Sequence, residues 1–295
     1  MNSRYMRFVD VTNDVAFRKI FGNENKTEIL ISFLNAVLNL TGRKKIKELA
    51  IINPYQLPRI KGEKATIIDV RAKDHTGQQF IIEMQVAEVR GFAKRVQYYT
   101  CRDYSMQIKI GDDYPKLKPT YFVGILDFNF FKGNKYITNH LILEEETLEH
   151  KLDDLKFTFI ELPKFTLKEN ELKTLVEKWI FFIKNAENLD VVPDNTVDKG
   201  LLEAYRDAEM HRWDVEELKN YDNFFIAMQD ARGRMELAIE RAEKKGLERG
   251  IEKGIKQQTI QVIQNCLSQN LPLEVIATIA GVSLEEVKAV VDSLE

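Results

Sequence analysis

Apolar residues recur at helical spacing in two early stretches. Val15, Phe17, Ile20 and Phe21 follow Thr12 or Asn13, either of which is a credible N-cap, and Gly22 ends the run. Ile29, Leu30, Phe33, Leu34, Val37 and Leu38 repeat at the same spacing from Thr27 to Leu40, before Thr41-Gly42. The period then shortens to two over Thr66 to Ala72 and Phe80 to Val86. Asp74 and Gly77 between these runs are turn residues, so the pattern predicts a hairpin. Glu48 to Ile60 is also β-rich but carries Pro54 and Pro58, which suits an edge strand or an irregular extended segment. A helix within Ala87 to Ile110 leads to a buried strand, Tyr121 to Phe128, and such a crossover lets that strand run parallel to a hairpin strand. Tyr136 to Leu143 and Leu155 to Leu162 are two further β candidates.

After Pro163 the pattern turns helical, with periodic apolar positions in Leu172 to Ile183, Leu201 to Met210 and Phe224 to Leu237. The expected division is a mixed domain over 1–165 and a helical region over 166–295. Within the latter, a basic helix over about 231–265 holds eight Lys/Arg against five Glu between residues 231 and 256, with Gly246, Gly250 and Gly254 every fourth position. Those glycines weaken a helix unless something uses them. The stretch reads as a DNA-contacting helix, a subunit-pairing helix or a linker, and pairing or linking fits better. Residues 271–294 read as helix, Gly281 turn, Ser283 N-cap and helix, the size of a helix-turn-helix unit. Its second helix bears Glu285, Glu286 and Asp292 against Lys288, and such acids repel phosphate.

Composition narrows the class. The chain has 295 residues, 44% hydrophobic and 30% charged, enough to bury a full core. Its net charge of −3 gives no bulk attraction to nucleic acid, so a nucleic-acid enzyme would need a local basic surface. The longest apolar candidate, Leu175 to Ile183, is interrupted by Glu177 and Lys178, so no membrane span is expected. The first ten residues lack a secretory pattern, and a cytoplasmic location is expected. Cys101 and Cys266, 165 residues apart, supply neither a disulfide framework nor a Cys-x-x-Cys pair. His75, His140, His150 and His211 form no local zinc pattern, and phosphate-cradling glycine motifs are missing, so no nucleotide cofactor is expected.

The hairpin carries the chemistry. If it closes through His75, Thr76 and Gly77, residues whose numbers sum to 152 face each other, and Asp69 stands opposite Glu83. Alternation places Arg71 with Asp69, and Gln85 with Glu83, on a polar face; Ile68, Val70, Ala72, Phe80, Ile82, Met84 and Val86 take the other. Facing acids need neutralising, either by a hard divalent cation such as Mg²⁺ or by Arg71. The alternative is a solvated strand face with an exposed ion pair of little worth.

These residues carry a resemblance. Asp69, followed fourteen residues on by Glu83-Met84-Gln85, looks like the core of the PD-(D/E)XK nuclease superfamily. Asn13-Asp14-Val-Ala-Phe17-Arg-Lys19-Ile-Phe21-Gly22, Asp69-Val-Arg-Ala-Lys-Asp74 and Gly77 narrow it to the PD-(D/E)XK nuclease family transposases, or recombination-promoting nucleases. The resemblance covers most of residues 8 to 130 and is looser from 165 onward. It implies a restriction-endonuclease-like α/β fold, a mixed sheet flanked by helices, with an α-helical C-terminal region. It also implies Mg²⁺ or Mn²⁺ held by Asp69, Glu83 and the Met84 carbonyl, and hydrolysis of DNA phosphodiesters. Gln85 stands where the superfamily usually has Lys and, as an amide, can orient water or phosphate but cannot take a proton. Ile68 replaces the Pro of the motif's Pro-Asp pair. Asp14 resembles an acid on the first helix that completes such a site, and it also suits the positive end of a helix dipole. Lys94, Arg95, Gln97 and Arg102 on the following helix are candidate phosphate contacts or a solvated face. Two alternatives stand beside the endonuclease: a non-catalytic DNA-binding or regulatory protein on the same fold, and a helical assembly protein forming homo-oligomers through its C-terminal helices.

Overall fold

The computed structural model describes residues 6–56 and 66–293. Pro58, Ile60, the first five residues and Leu294, which figure in the readings above, lie outside the described residues. The chain separates into two compact units, Met1–Phe225 and Ile226–Glu295.

In the first unit, α1 (Asp14–Phe21) begins where the Asn13 side chain accepts the N–H groups of Val15 and Ala16. That interaction satisfies donors a helix start leaves open. α2 (Thr27–Val37) follows, then β1 (Leu49–Ile52), β2 (Tyr55–Gln56), β3 (Thr66–Ile67), β4 (Val70–Asp74) and β5 (Gln79–Gln85). α3 (Phe92–Ser105) crosses to β6 (Thr120–Leu126), followed by β7 (Ile137–Leu141) and β8 (Leu155–Glu161). α4 (Leu175–Asn185) and α5 (Lys199–Ala208) complete the packed part. The six-stranded sheet has the order β1-β4-β5-β6-β8-β7, and β2 and β3 form a separate ribbon. β5, β6 and β8 run parallel, and the other neighbours pair antiparallel. The expected crossover is therefore present, and the molecule has the mixed sheet with flanking helices of an α/β fold.

Both faces of the sheet are buried. One meets α1, α2, α4 and α5, where Phe21, Phe33, Trp179, Phe182 and Tyr205 form a chain of aromatic contacts. The helices beyond residue 165 thus share a core with Val70, Ala72, Phe80, Ile82 and Met84 of the hairpin. The other face packs Ile81, Phe122, Leu126 and Phe159 against Phe92 and Val96 of α3.

Two local expectations change. The run Thr66 to Ala72 is interrupted by a bend at Asp69, and Ile68 lies with Ile81 and Phe92 under α3 rather than with Val70 and Ala72. The cause is a side chain replacing backbone in the ladder: the Met84 N–H donates to Asp69 Oδ2 at 2.9 Å. The hairpin face beneath α3 is accordingly an apolar layer with acids at one end, not a solvated surface.

In the second unit, the long α6 (Val215–Ser268), which begins within the first, continues through Gly246, Gly250 and Gly254 without a break. α7 (Leu273–Ala280) ends at Gly281, whose φ of 68° makes the left-handed turn. α8 (Leu284–Asp292) starts with the Ser283–Glu286 capping box. Ile263, Cys266, Ile276 and Val287 form their small core. No helix among the described residues is long and apolar enough to cross a membrane.

Gly124 is the strand neighbour of Glu83 and sits between rings: an added Cβ would lie 2.9 Å from Phe122 Cε1 and 3.0 Å from Phe159 Cδ1. Gly124→Ala is expected to destabilise the fold by about 1–3 kcal/mol through overpacking. Urea unfolding measures this, and an unchanged midpoint contradicts the crowding.

Candidate active site

The hairpin register is the one the numbering predicts. Val70 pairs with Ile82, Arg71 with Ile81 and Ala72 with Phe80, and the Asp74 N–H donates to the Gln78 carbonyl across His75, Thr76 and Gly77. One step beyond the Val70–Ile82 pair, Asp69 stands across from Glu83. The Met84 amide fixes its carboxylate there. A strand position gives Glu83 little freedom, and its side chain is only 3% exposed.

Two other elements bring groups to these acids. α1 contributes Asp14 and, one turn on, Arg18, whose Nη2 lies 2.9 Å from Asp14 Oδ2 and 2.8 Å from Asp69 Oδ1. The first turns of α3 contribute Arg95 and Tyr99. Arg95 Nη2 donates to Gln85 Oε1 at 2.5 Å and lies 3.9 Å from Glu83 Oε2. Gln85 Nε2 donates to the Met84 carbonyl at 2.9 Å. Asp14, Arg18, Asp69, Glu83, Gln85, Arg95 and Tyr99 line one open pocket of about 330 Å³.

Burial and mutual repulsion dominate its electrostatics. Glu83 is pushed up to about 8, first by loss of hydration and then by the charge on Asp69, with Arg95 and Arg18 pulling it back. Asp14 is raised to about 6 by burial first and then by the charge on Asp69, with Arg18 pulling it back. Burial, and next the Glu83 charge, raises Tyr99. A buried carboxyl whose nearest cation is 3.9 Å away is poorly neutralised.

The pocket gathers Asp14, Asp69, Glu83, Gln85 and Arg95; Met84 is not in its lining, and its carbonyl accepts from Gln85 Nε2. Lys94, Gln97 and Arg102 lie outside this pocket's lining. Lys94 is exposed, Gln97 lines a separate apolar cleft with Cys101, Phe130 and His140, and Arg102 Nη1 donates to the Tyr98 hydroxyl. Arg71 does not neutralise the facing acids. It pairs with Asp103 of α3 and donates to Gln79 Oε1 at 3.0 Å. Arg18 takes that place, and Tyr99 joins the site. The Asp14–Arg18 spacing of one helical turn was the available signal for Arg18, whereas its meeting with Asp69, 51 residues away, had none.

The donors suit a hard cation. Asp14, Asp69 and Glu83 present carboxyl oxygen to the pocket, and an under-neutralised buried acid gains from divalent charge. Among the described residues no three His, Cys, Asp or Glu side chains form a ready metal cage.

The mixed sheet with flanking helices defines an α/β protein. A family model described as PD-(D/E)XK nuclease family transposase matches residues 11–238, and the chain belongs to that family. Comparison with curated proteins and with solved structures finds no match. Family membership points to a nuclease-type function with DNA as the substrate class.

The raised Glu83 carboxyl gives a stability prediction. The folded protein holds this proton more tightly than an unfolded chain, whose carboxyl titrates near 4.5. The resulting stabilisation is complete below about pH 4.5 and is lost as pH rises towards about 8. In metal-free buffer, Tm is expected to fall across that window, and Glu83→Gln is expected to flatten the decline. A mutant profile as steep as the wild type assigns the decline to other groups.

Proposed function

We propose that the protein is a Mg²⁺- or Mn²⁺-dependent DNA endonuclease of the recombination-promoting, transposase-associated kind. The carrying observation is the buried pair Asp69 and Glu83, converging with Gln85 in a pocket open to solvent. Asp69, Glu83 and the Met84 carbonyl would hold the cation. When bound, it would polarise a phosphodiester oxygen and lower the pKa of water.

The chain's own groups do the rest. The Met84 N–H keeps Asp69 in register, and the 2.5 Å bond from Arg95 orients the Gln85 amide. Arg95 adds positive charge beside Glu83, where a phosphate would otherwise meet acids alone. Gln85 orients by hydrogen bonds and takes no proton. Asp14 lies close enough to complete the acid cluster through water.

The Arg18 guanidinium on Asp69 favours a second reading, a DNA-binding protein that works without metal. Nicking of supercoiled plasmid separates the two. Mg²⁺-dependent nicking is expected, with a loss of roughly a hundredfold or more in Asp69→Ala and Glu83→Ala. Metal-independent DNA retardation without nicking supports the binder.

The C-terminal unit supports pairing with a second copy of the chain. Leu247, Ile251 and Ile255 are exposed at every fourth position beside Gly246, Gly250 and Gly254, where an added Cβ would meet nothing within 4 Å. Ridges at this spacing pack helix on helix. Light scattering is expected to give a homo-oligomer for the full chain and a smaller mass for Ile251→Lys; equal masses count against pairing here.

A further inference from the structure

Arg18 lines two cavities. One is the acid pocket; the other is a polar pocket of about 840 Å³ where Lys19, Lys26 and Arg212 join Arg18 against Glu24, Asp207 and Glu217. On the acid side, Arg18 Nε and Nη2 lie 3.3 and 2.8 Å from Asp69 Oδ1, while the Met84 N–H holds Oδ2. The guanidinium thus occupies the Asp69 oxygen that the backbone leaves open. The arginine side chain is 44% exposed and that of Asp69 8%. The carboxylate is fixed, and its partner stands at the solvent boundary, where ion pairs are weak and exchange readily.

Charge balance shows what a cation would change. Three carboxyl side chains and two guanidiniums line the acid pocket, a formal −1 with all of them ionised. A divalent ion takes this to +1 and competes with Arg18 for the same oxygen. In the polar pocket, Lys19 pairs with Glu217, Lys26 with Asp207, and Arg212 with Glu209. Arg18 pairs with both Asp14 and Asp69; a metal would claim the Asp69 oxygen and leave the one-turn contact with Asp14, and a planar guanidinium matches the geometry of phosphate oxygens.

Resting on the metal-site reading above, we infer that Arg18 has two positions: on Asp69 when no cation is bound, and turned to the polar pocket, holding a phosphate of the polynucleotide, when a divalent cation takes Asp69. The first position protects facing acids from mutual repulsion. The second couples cation binding to engagement of DNA next to the reacting bond.

Mn²⁺ affinity by water-proton relaxation, and duplex DNA affinity by fluorescence anisotropy in Ca²⁺, test both positions in wild type, Arg18→Met and Arg18→Lys. Arg18→Met is expected to bind Mn²⁺ about tenfold more tightly and DNA about tenfold more weakly, with Arg18→Lys recovering part of the DNA binding. Should Arg18→Met not fold, Arg18→Lys carries the test, because a lysine cannot bridge Asp14 and Asp69 in the same planar way; its Mn²⁺ affinity is then expected to exceed wild type. Wild-type binding with no gain in the variant overturns the first position and leaves the metal site standing. Unchanged DNA affinity overturns the second. No Mn²⁺ binding by wild type or variant overturns the metal site and this inference together.

Discussion

The bond from the Met84 N–H to the Asp69 carboxylate is the interaction on which the site depends. A backbone donor that an uninterrupted strand would give to a neighbouring carbonyl goes instead to a side chain. The chain bends at Asp69, and the carboxylate is pinned beside Glu83. Because the donor belongs to β5, the same strand that carries Glu83 and Gln85, the separation of the acids is set by strand geometry rather than by flexible side chains.

The surroundings set the electrostatics of that pair. Phe92 of α3 packs with Phe122 and Phe159 of the sheet, and a Cβ at Gly124, the strand neighbour of Glu83, would crowd the last two rings. Their apolar wall removes water from Glu83, which makes a second negative charge beside Asp69 costly. Arg18 and Arg95 answer this in different ways. Arg95 is tied to Gln85 and leans on the Phe92 and Tyr99 rings, whereas Arg18 reaches from α1 and stays half in solvent. One guanidinium is built into the wall, and the other stands at the door.

The helices α4 and α5 matter to the site although they supply no residue to it. Trp179, Phe182 and Tyr205 fill the face of the sheet opposite α3 and clamp α1 through Phe21. That packing fixes the height at which α1 presents Asp14 and Arg18. The Lys19–Glu217 pair and the Trp213 ring under Lys19 anchor α1 to the start of α6 as well. The acid pocket thus rests on helices from well beyond the hairpin, and the family match through residue 238 includes them.

Local order was legible in the sequence because it obeys local rules. The period of two, the Asp74 and Gly77 turn and the hairpin count determined the register, and with it the meeting of Asp69 and Glu83. Asn13 and Ser283 determined helix starts, and the Glu83-Met84-Gln85 pattern identified the family. Tertiary structure decided which cation meets which acid. Arg71, two residues from Asp69, is drawn to Asp103 on α3, while Arg18 arrives from a distant helix. It also decided that Ile68 turns under α3, since a strand's alternation holds only while the backbone ladder continues. Sequence spacing fixes neighbours along one element; partners across elements depend on how the core packs, and no periodicity encodes that.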